Sequence, residues 1–477
     1  MTDSADVPRS PPLYGKTGVV ATITGTALAV LALPGDTRDA DGMILPAAIM
    51  TCGLGLAPVL ASLQHSRALL RMEYLLPFGL VYWLLLDLLQ GAGELGEVTA
   101  EGVESAFIAI GVFGVGIYAA ACGGPWTLPR AIRHSAVSLI GPRTLFALCC
   151  TCFALGMFQF AYAAGFDPLA MVFYAGTSRW MAPWSSGRLG GWAQLISHLT
   201  YFGYLVPALA VTLGIRIGWS RLATCIAVLM AIVILVFLAQ GGGRRVIGVM
   251  AGAALVVWIL AQPYLDLRRV LVILTSCAVI LLSMEVMLEY RTKGLSVFLS
   301  EWDVPLDEGR VHVDDNLLRL AQTIEIIPAK HDYVYEKQLV YAAVRPIPRA
   351  IWPGKPTGPG FNLGEFLGTP WVSLSSSTVA EWYSIGGFLT VLLGGLAYGS
   401  LARAGSALWL VTDRPVGRLV YGVYAMALFA GLRSMLDLVL MSYMLLGWMV
   451  VWWLFVGRHR PARPKVVSAA PVPLDRG

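Results

Sequence analysis

The amino-acid sequence predicts an all-α integral membrane protein that crosses the bilayer about twelve times and carries one large extracytoplasmic loop. Hydrophobic residues make up 57% of the 477 residues, and charged residues only 13%. The mean hydropathy is +0.69, and the apolar residues lie in runs of about 20, the length that a helix needs to cross a bilayer. A soluble core cannot bury so many apolar side chains, and a disordered chain does not contain them.

The charge balance and the cysteines exclude several kinds of partner and site. The 34 Lys and Arg residues against 29 Asp and Glu give a net charge of +5, which is too small to indicate nucleic-acid binding. All seven cysteines lie in apolar runs, and none has a Cys or His at the spacing of a metal site. We therefore expect neither a disulfide framework nor a zinc site.

Twelve apolar stretches are predicted to span the membrane when hydropathy is averaged over about 19 residues. In chain order they are 17–34, 43–63, 73–90, 104–123, 144–166, 192–215, 222–240, 246–262, 269–287, 380–400, 417–435 and 438–456. Residues 1–16 contain no cleavable signal, so the first span is expected to remain as an anchor. The predicted organisation is an N-terminal tail (1–16), nine helices (17–287), the large loop (288–379), three helices (380–456) and a C-terminal tail (457–477).

The orientation follows from the Lys and Arg residues in the short connections. One set of connections, taken with the two tails, contains 19 basic residues, whereas the opposite set contains six: Arg38, Arg179, Arg188, Arg244, Arg245 and Arg433. Both termini are therefore predicted to be cytoplasmic. The remaining nine basic residues lie in the long loop, where the charge rule does not apply, so they need another explanation.

The long loop begins with an amphipathic pattern and continues with a proline-rich run. Apolar residues recur at helical spacing between Asp314 and Tyr341, which predicts a helix lying on the membrane or against the spans. Four prolines then occur within the eleven residues 346–356. Proline fixes φ and removes a backbone donor, so this segment is predicted to be stiff and extended.

The proline-rich run carries Arg345, Arg349 and Lys355 beside Trp352. Two guanidinium groups and an ammonium at these intervals suit a bidentate grip on phosphate, and the indole offers a stacking surface for a sugar or a lipid head group. The alternative is a structural loop whose cations reach anionic lipid heads.

A glycine-rich turn between two spans on the outer side is a second candidate for anion binding. Its sequence is Gln240-Gly241-Gly242-Gly243-Arg244-Arg245. Three glycines let backbone N–H groups approach an anion closely, although the spacing and the Lys-Ser/Thr pair of a nucleotide P-loop are absent. The alternative is a tight turn capped by two interfacial cations.

Arg433 lies at the outer end of a predicted span, where a charge is costly unless it is paired or functional. An ion pair with Asp437, four residues further along a helix, is the structural alternative.

The candidate proton-transfer groups are few. Glu381 follows Thr378 by three residues, which fits a capping box at the start of the next span; the alternative is a contact with substrate. His331 and His198 are candidates for proton transfer because both are predicted to lie on the outer side of the membrane. The alternative for each is a structural role.

One stretch of the loop resembles the Pro-Arg-aliphatic-Trp-Pro-x-Lys-Pro signature of bacterial O-antigen and oligosaccharide repeat-unit polymerases. It reads Ile347-Pro348-Arg349-Ala350-Ile351-Trp352-Pro353-Gly354-Lys355-Pro356. The order of features is also similar: a Gly-Arg turn, a large late loop, and a Glu-aromatic segment that ends in glycine. That segment reads Glu381-Trp382-Tyr383-Ser384-Ile385-Gly386-Gly387. The resemblance covers roughly residues 235–390.

The resemblance implies a metal-independent glycosyltransferase with a GT-C-like fold in the cytoplasmic (inner) membrane, without a cofactor. Such enzymes join repeat units carried on undecaprenyl diphosphate at the outer face, to make O-antigen, capsule or exopolysaccharide. The implied partners are the lipid-linked donor and acceptor, membrane lipids, a chain-length regulator and a flippase. The departing diphosphate gains negative charge, which fixed cations in a water-poor site stabilise.

The resemblance also suggests roles for individual residues. We expect the diphosphates to contact four arginines, assisted by Lys355, while Trp352 packs on sugar or prenyl chain and Arg433 completes the cationic pocket. Glu381 or His331 is the candidate base for the acceptor hydroxyl. The four arginines are Arg244, Arg245, Arg345 and Arg349.

Other functions fit parts of the pattern. A ligase-type transferase, which transfers the finished glycan, shares the long late loop and the arginines, and the Pro-Arg…Trp-Pro run favours a polymerase over it. A glycosyltransferase with an acidic pair, acting on lipid monophosphate donors, would depend on Asp39 or Asp41. A polysaccharide or lipid transporter would place its charges at mid-span, whereas the charges here cluster at the outer ends of spans.

Overall fold

The computed structural model describes residues 13–92, 95–123, 127–184, 193–241, 245–294, 297, 300, 311, 313, 315–345, 347, 349, 351–369, 374 and 376–457. Within these residues every regular element is a helix. The helices used below are α1 (Gly15–Leu31), α2 (Ile44–Gln64), α3 (Met72–Leu89), α4 (Ala100–Cys122), α5 (Arg130–Ala136), α6 (Pro142–Ala163), α7 (Pro168–Ala175), α8 (Leu195–Ile217), α9 (Leu222–Gly241), α10 (Arg245–Ala261), α11 (Leu267–Lys293), α12 (Asn316–Ile326), α13 (Glu336–Val344), α14 (Leu363–Phe366), α15 (Ser377–Trp409), α16 (Pro415–Gly431) and α17 (Met435–Trp452).

Nine helices in the described part of the chain are long and apolar enough to cross a membrane: α2, α3, α4, α6, α8, α9, α11, α15 and α17. Helices α1, α10 and α16 are apolar too, with at most 17 residues each. Each of the twelve predicted spans coincides with one of these helices. The prediction of an all-helical, polytopic membrane protein is therefore confirmed. That the three shorter helices also cross the membrane is part of the function proposed below.

Close packing of α4 against α15 forms the centre of the bundle. A Cβ added at Gly116 of α4 would lie 2.8 Å from the Cα of Gly395, and one added at Gly399 of α15 would lie 2.6 Å from the carbonyl oxygen of Ile117. Only glycine allows the two backbones to approach so closely. In lipid, where the hydrophobic effect does not drive helices together, this close packing stabilises their association.

The helix ends gather on two opposite faces. On one, Glu73 is buried and forms ion pairs with Arg71 (3.1 Å) and Arg403 (3.3 Å). On the other lies the described part of the long loop, and we call this the loop face. There, Thr99 at the start of α4 donates its backbone N–H to Glu325 (2.6 Å), and Asn316 donates to the carbonyl of Trp83 (3.1 Å).

The amphipathic part of the loop forms two helices, where one pattern was expected. Helix α12 packs against α4 and α15, so the expectation that this segment lies against the spans is met. Its buried apolar side chains are Leu317, Leu318, Leu320, Ala321 and Ile326. Helix α13 follows after a turn and begins at Glu336.

The proline-rich run is not extended, so that prediction is wrong. It folds into turns around two of its own cations. The ammonium of Lys355 donates to the carbonyls of Ile347 (2.6 Å) and Arg345 (3.2 Å). Because these carbonyls lie eight and ten residues earlier in the chain, the lysine draws the run back on itself.

Candidate functional site

Helix α15 is broken near its beginning, at two glycines. Gly387 has φ +74° and ψ −154°, a combination that is essentially restricted to glycine. The carbonyls released by the break are paired, since Ser384 accepts from the N–H of Val334 (2.8 Å) and Ile385 from the N–H of Tyr335 (3.2 Å). Irregular backbone at membrane depth occurs where it lines a cavity, and the first part of α15 does so here.

This cavity, which we call the acidic cavity, has a volume of about 780 Å³ and lies between α15, the start of α17 and the loop. Among the described residues, its charged lining consists of three carboxylates and one guanidinium: Glu365, Glu381, Asp437 and Arg433. Hydroxyl and amide side chains supply much of the rest, among them Thr357, Asn362, Ser376, Ser384 and Ser434. The site therefore offers many hydrogen-bond partners to a polyhydroxylated ligand.

Glu381 reaches across to the N-terminus of α17. One of its carboxylate oxygens accepts from the hydroxyl of Ser434 (2.8 Å), and the other accepts from the backbone N–H of Met435. The free N–H groups at the start of a helix stabilise a carboxylate. The capping box predicted for Thr378 and Glu381 is therefore wrong: the first turn of α15 is capped by the hydroxyl of Ser377, 3.3 Å from the N–H of Ala380.

Arg433 forms the predicted ion pair with Asp437, at 3.2 Å. Its side chain is 23% exposed and that of Asp437 only 3%, so the guanidinium lies at the cavity wall with the carboxylate behind it. The connection that carries Arg433 is fixed to α15, because Thr378 donates its N–H to Leu432 (3.1 Å) and Tyr398 donates its hydroxyl to Gly431 (2.8 Å).

A second cavity, which we call the aromatic cavity, has a volume of about 500 Å³. Two guanidinium groups line it, those of Arg179 and Arg345, and its described lining contains no carboxylate. Aromatic side chains form its walls: Phe160, Trp180, Trp184, Tyr201 and Tyr204. His198 also lines it, with its ring 5.0 Å from that of Tyr443. Cationic and aromatic groups together suit an anionic ligand that carries a sugar.

The segment that carries Arg179 is held in place by the end of α9. Gln240 is fully buried; its amide donates to the carbonyls of Tyr174 (2.7 Å) and Thr177 (3.0 Å), and its carbonyl accepts from Trp184 (2.8 Å). A buried amide with three hydrogen bonds fixes its surroundings firmly. Gln240 thus positions the arginine two residues beyond Thr177.

The two cavities share a wall. Tyr341 lines the acidic cavity, Arg345 lines the aromatic cavity, and the guanidinium carbon of Arg345 lies 5.7 Å from the centre of the Tyr341 ring. On α17, Leu436 faces the first cavity and Leu440, one turn later, faces the second. A ligand in one cavity therefore lies close to a ligand in the other.

The remaining predicted residues of the loop line neither cavity. The guanidinium of Arg349 donates to the carbonyls of Pro353 (3.3 Å), Lys355 (3.2 Å) and Pro356 (3.2 Å). Burial together with Arg345 and Arg349 lowers the pKa of Lys355. Trp352 is 41% exposed. Arg349 and Lys355 thus hold the fold of the run, and the expected convergence of Arg349 with Arg433 in one cavity does not occur.

Three predicted residues remain: His331 and the two arginines of the glycine-rich turn. His331 has its Nδ1 2.5 Å from the carbonyl of Asp332 and packs on Phe361 and Phe366, outside both cavities. Arg244 lies outside the described residues, as does the side chain of Arg245, whose backbone begins α10. Among the described residues no cluster of three or more His, Cys, Asp or Glu is arranged to hold a metal ion.

Sequence reasoning missed Arg179 as a site residue. It counted this arginine among the six of the short outer connections but gave it no role. The rarity of Arg in those connections was the available signal.

Comparison of the chain with protein-family models, with curated proteins and with solved structures gave no match.

Proposed function

We propose that the chain is a membrane glycosyltransferase with a GT-C-like fold that polymerises undecaprenyl-diphosphate-linked repeat units into a surface polysaccharide. All twelve apolar helices cross the cytoplasmic membrane in this proposal, with both termini in the cytoplasm and the loop face outside. The basic residues of the short connections support this orientation, and Arg71 and Arg403, both counted on the cytoplasmic side, meet at Glu73.

The observation that carries the proposal is the pair of adjoining cavities with opposite charge. Polymerisation needs two lipid-linked substrates side by side, one that leaves a diphosphate and one that offers a hydroxyl group. In the described lining, two guanidiniums without a carboxylate suit the diphosphate, and three carboxylates with many hydroxyls suit the accepting sugar. Both volumes lie within the range of ligand sites, about 300–1,000 Å³.

The donor diphosphate binds between Arg179 and Arg345. Guanidinium groups stay charged at all working pH values and match pairs of phosphate oxygens. Helix α10 begins beside this cavity, since Val246 lines it. Arg244 and Arg245 directly precede Val246 in the sequence, and in this proposal they bind the same diphosphate.

The acceptor sugar lies in the acidic cavity with its reacting hydroxyl towards Glu381. The hydroxyl oxygen attacks the anomeric carbon of the donor and its proton passes to the carboxylate. The bond from that carbon to the diphosphate breaks, and undecaprenyl diphosphate leaves with the bonding electrons. Arg433 holds the acceptor's own diphosphate at the rim, and Asp437 fixes the guanidinium.

A deletion strain complemented with Arg345→Ala or Glu381→Gln tests this proposal. Arg38→Ala is the control, because Arg38 is exposed in another connection of the same face. Surface glycan separated on gels should show single repeat units for the two variants and long chains for the control. Normal chain lengths from both site variants would contradict the proposal. Loss of all transfer to the final acceptor, with long lipid-linked chains retained, would indicate a ligase.

A further inference from the structure

Two buried polar atoms beside the aromatic cavity have no hydrogen-bond partner within the described chain: the amide oxygen of Gln159 and the hydroxyl of Tyr443. Buried polar groups are nearly always paired, because an unpaired one loses its hydrogen bond to water without a replacement. Gln159 lines the cavity from α6. Two such atoms at one cavity indicate that a ligand completes their hydrogen bonds.

Aromatic rings surround these atoms and the cavity. Tyr443 lies on α17 with its ring 5.2 Å from that of Tyr201 and 5.0 Å from that of His198, and both of these residues line the cavity. Trp180 is 69% exposed, and the guanidinium carbon of Arg179 lies 4.1 Å from the centre of its ring. Amphipathic rings next to hydrogen-bonding groups are suited to the face and edge of a sugar.

The chemistry of Gln159 distinguishes between the parts of a lipid-linked saccharide. Its amide oxygen only accepts hydrogen bonds, so the ligand group must donate one. An ionised diphosphate has acceptors only, and a prenyl chain has neither donors nor acceptors. A sugar hydroxyl or amide N–H can donate to this oxygen, and a sugar hydroxyl can also accept from the hydroxyl of Tyr443.

We propose that the aromatic cavity binds the sugar attached directly to the donor's diphosphate, with Gln159 and Tyr443 as its hydrogen-bond partners. This inference rests on the proposed function, in which Arg179 and Arg345 hold the diphosphate itself. The first sugar of the donor is then recognised at the reacting end, next to the wall shared with the acceptor. Gln159 and Tyr443 determine which sugar is accepted there.

Two isosteric variants test the inference in the purified full-length protein in nanodiscs: Gln159→Met and Tyr443→Phe. Tyr443→Phe removes only the hydroxyl, and Gln159→Met keeps the length of the side chain while it removes the carboxamide. Binding is measured for two lipids: the repeat-unit lipid that accumulates in the deletion strain, and undecaprenyl diphosphate without sugar. We expect each variant to bind the repeat-unit lipid about tenfold more weakly and plain undecaprenyl diphosphate as the wild type does.

Gln262→Met is the matched control, because the amide of Gln262 bonds to Trp258 at the far end of α10, and it should bind both lipids normally. Unchanged binding of the repeat-unit lipid by both variants, or equal weakening for both lipids, overturns the sugar site while the proposed function stands. A wild-type protein that binds neither lipid overturns the proposed function, and the inference with it.

Discussion

The guanidinium of Arg345 lies 5.7 Å from the centre of the Tyr341 ring, and the two side chains face different cavities. They are four residues apart at the end of α13, so a single helical turn separates the acidic cavity from the aromatic cavity. A cation over a ring face is held electrostatically, which fixes the direction of the guanidinium. The loop thereby contributes the group that stands between the two neighbouring cavities.

Arg345→Lys should lower polymerisation by about tenfold or more, although it keeps the charge. The ammonium is a point charge and cannot match two phosphate oxygens at once. The measurement is the rate of polymer formation in membrane vesicles supplied with the repeat-unit lipid. Arg38→Lys serves as the control and should keep the wild-type rate. Full activity of Arg345→Lys would show that bidentate binding at this position is not needed.

Glu381→Gln should abolish turnover without unfolding the protein. The amide oxygen can still accept from Met435, whereas the neutral side chain cannot take the proton of the acceptor hydroxyl. Loss of a general base costs about 10²- to 10⁴-fold in rate. Rate and Tm are measured together, with Glu336→Gln, an exposed carboxylate on α13, as the control. A large fall in Tm would instead indicate that Glu381 acts mainly by capping α17.

Arg349→Ala should destabilise the proline-rich run by about 1–2 kcal/mol, because three carbonyls lose a charged donor. Faster limited proteolysis between 345 and 356 would report this effect. Binding of undecaprenyl diphosphate should change little. Strongly reduced binding with normal proteolysis would restore the role that the sequence pattern gave to Arg349 in contacting diphosphate.

The pKa of Lys355 predicts how the stability of the run depends on pH. Burial and two neighbouring guanidiniums lower this pKa below its ordinary value of 10.5, so the unfolded run binds more protons than the folded run in the window just below 10.5. Stability should therefore rise with pH in that window. Hydrogen exchange of the run measures it against Lys355→Met, which should lack this rise. The same rise in Lys355→Met would assign it to another group.

The fold was largely predictable because apolar runs of membrane length leave few alternatives to a helix. The prediction failed where distant backbone groups decided the outcome. Four prolines favour an extended chain, but Lys355 finds carbonyls eight and ten residues away, and no local pattern encodes that contact. Glu381 likewise matched a local capping pattern yet bonds to the start of another helix.

The sequence indicated which residue types line the cavities better than it identified the individual residues. Two of the arginines that the sequence suggested for anion binding, Arg345 in the loop and Arg433 at the end of a span, line cavities. Arg349 has the same chemistry and a stronger motif, but its donors are directed at its own loop. Arg179 lacked a motif and reaches the aromatic cavity because Gln240 holds its segment, a contact across 63 to 66 residues.

The break in α15 yields the last prediction. Gly387→Ala should cost about 1–3 kcal/mol, because the left-handed conformation at φ +74° disfavours a Cβ and the added atom would lie 3.0 Å from the hydroxyl of Tyr333. The break also orients Glu381 and Ser384 towards the acidic cavity, so activity should fall even below the melting temperature. Gly55→Ala is the control, since a Cβ on this helical glycine meets nothing within 4 Å, and it should keep both Tm and activity. If Gly387→Ala retained the wild-type Tm and rate, a continuous helix would be compatible with the site and the break would have no part in positioning Glu381.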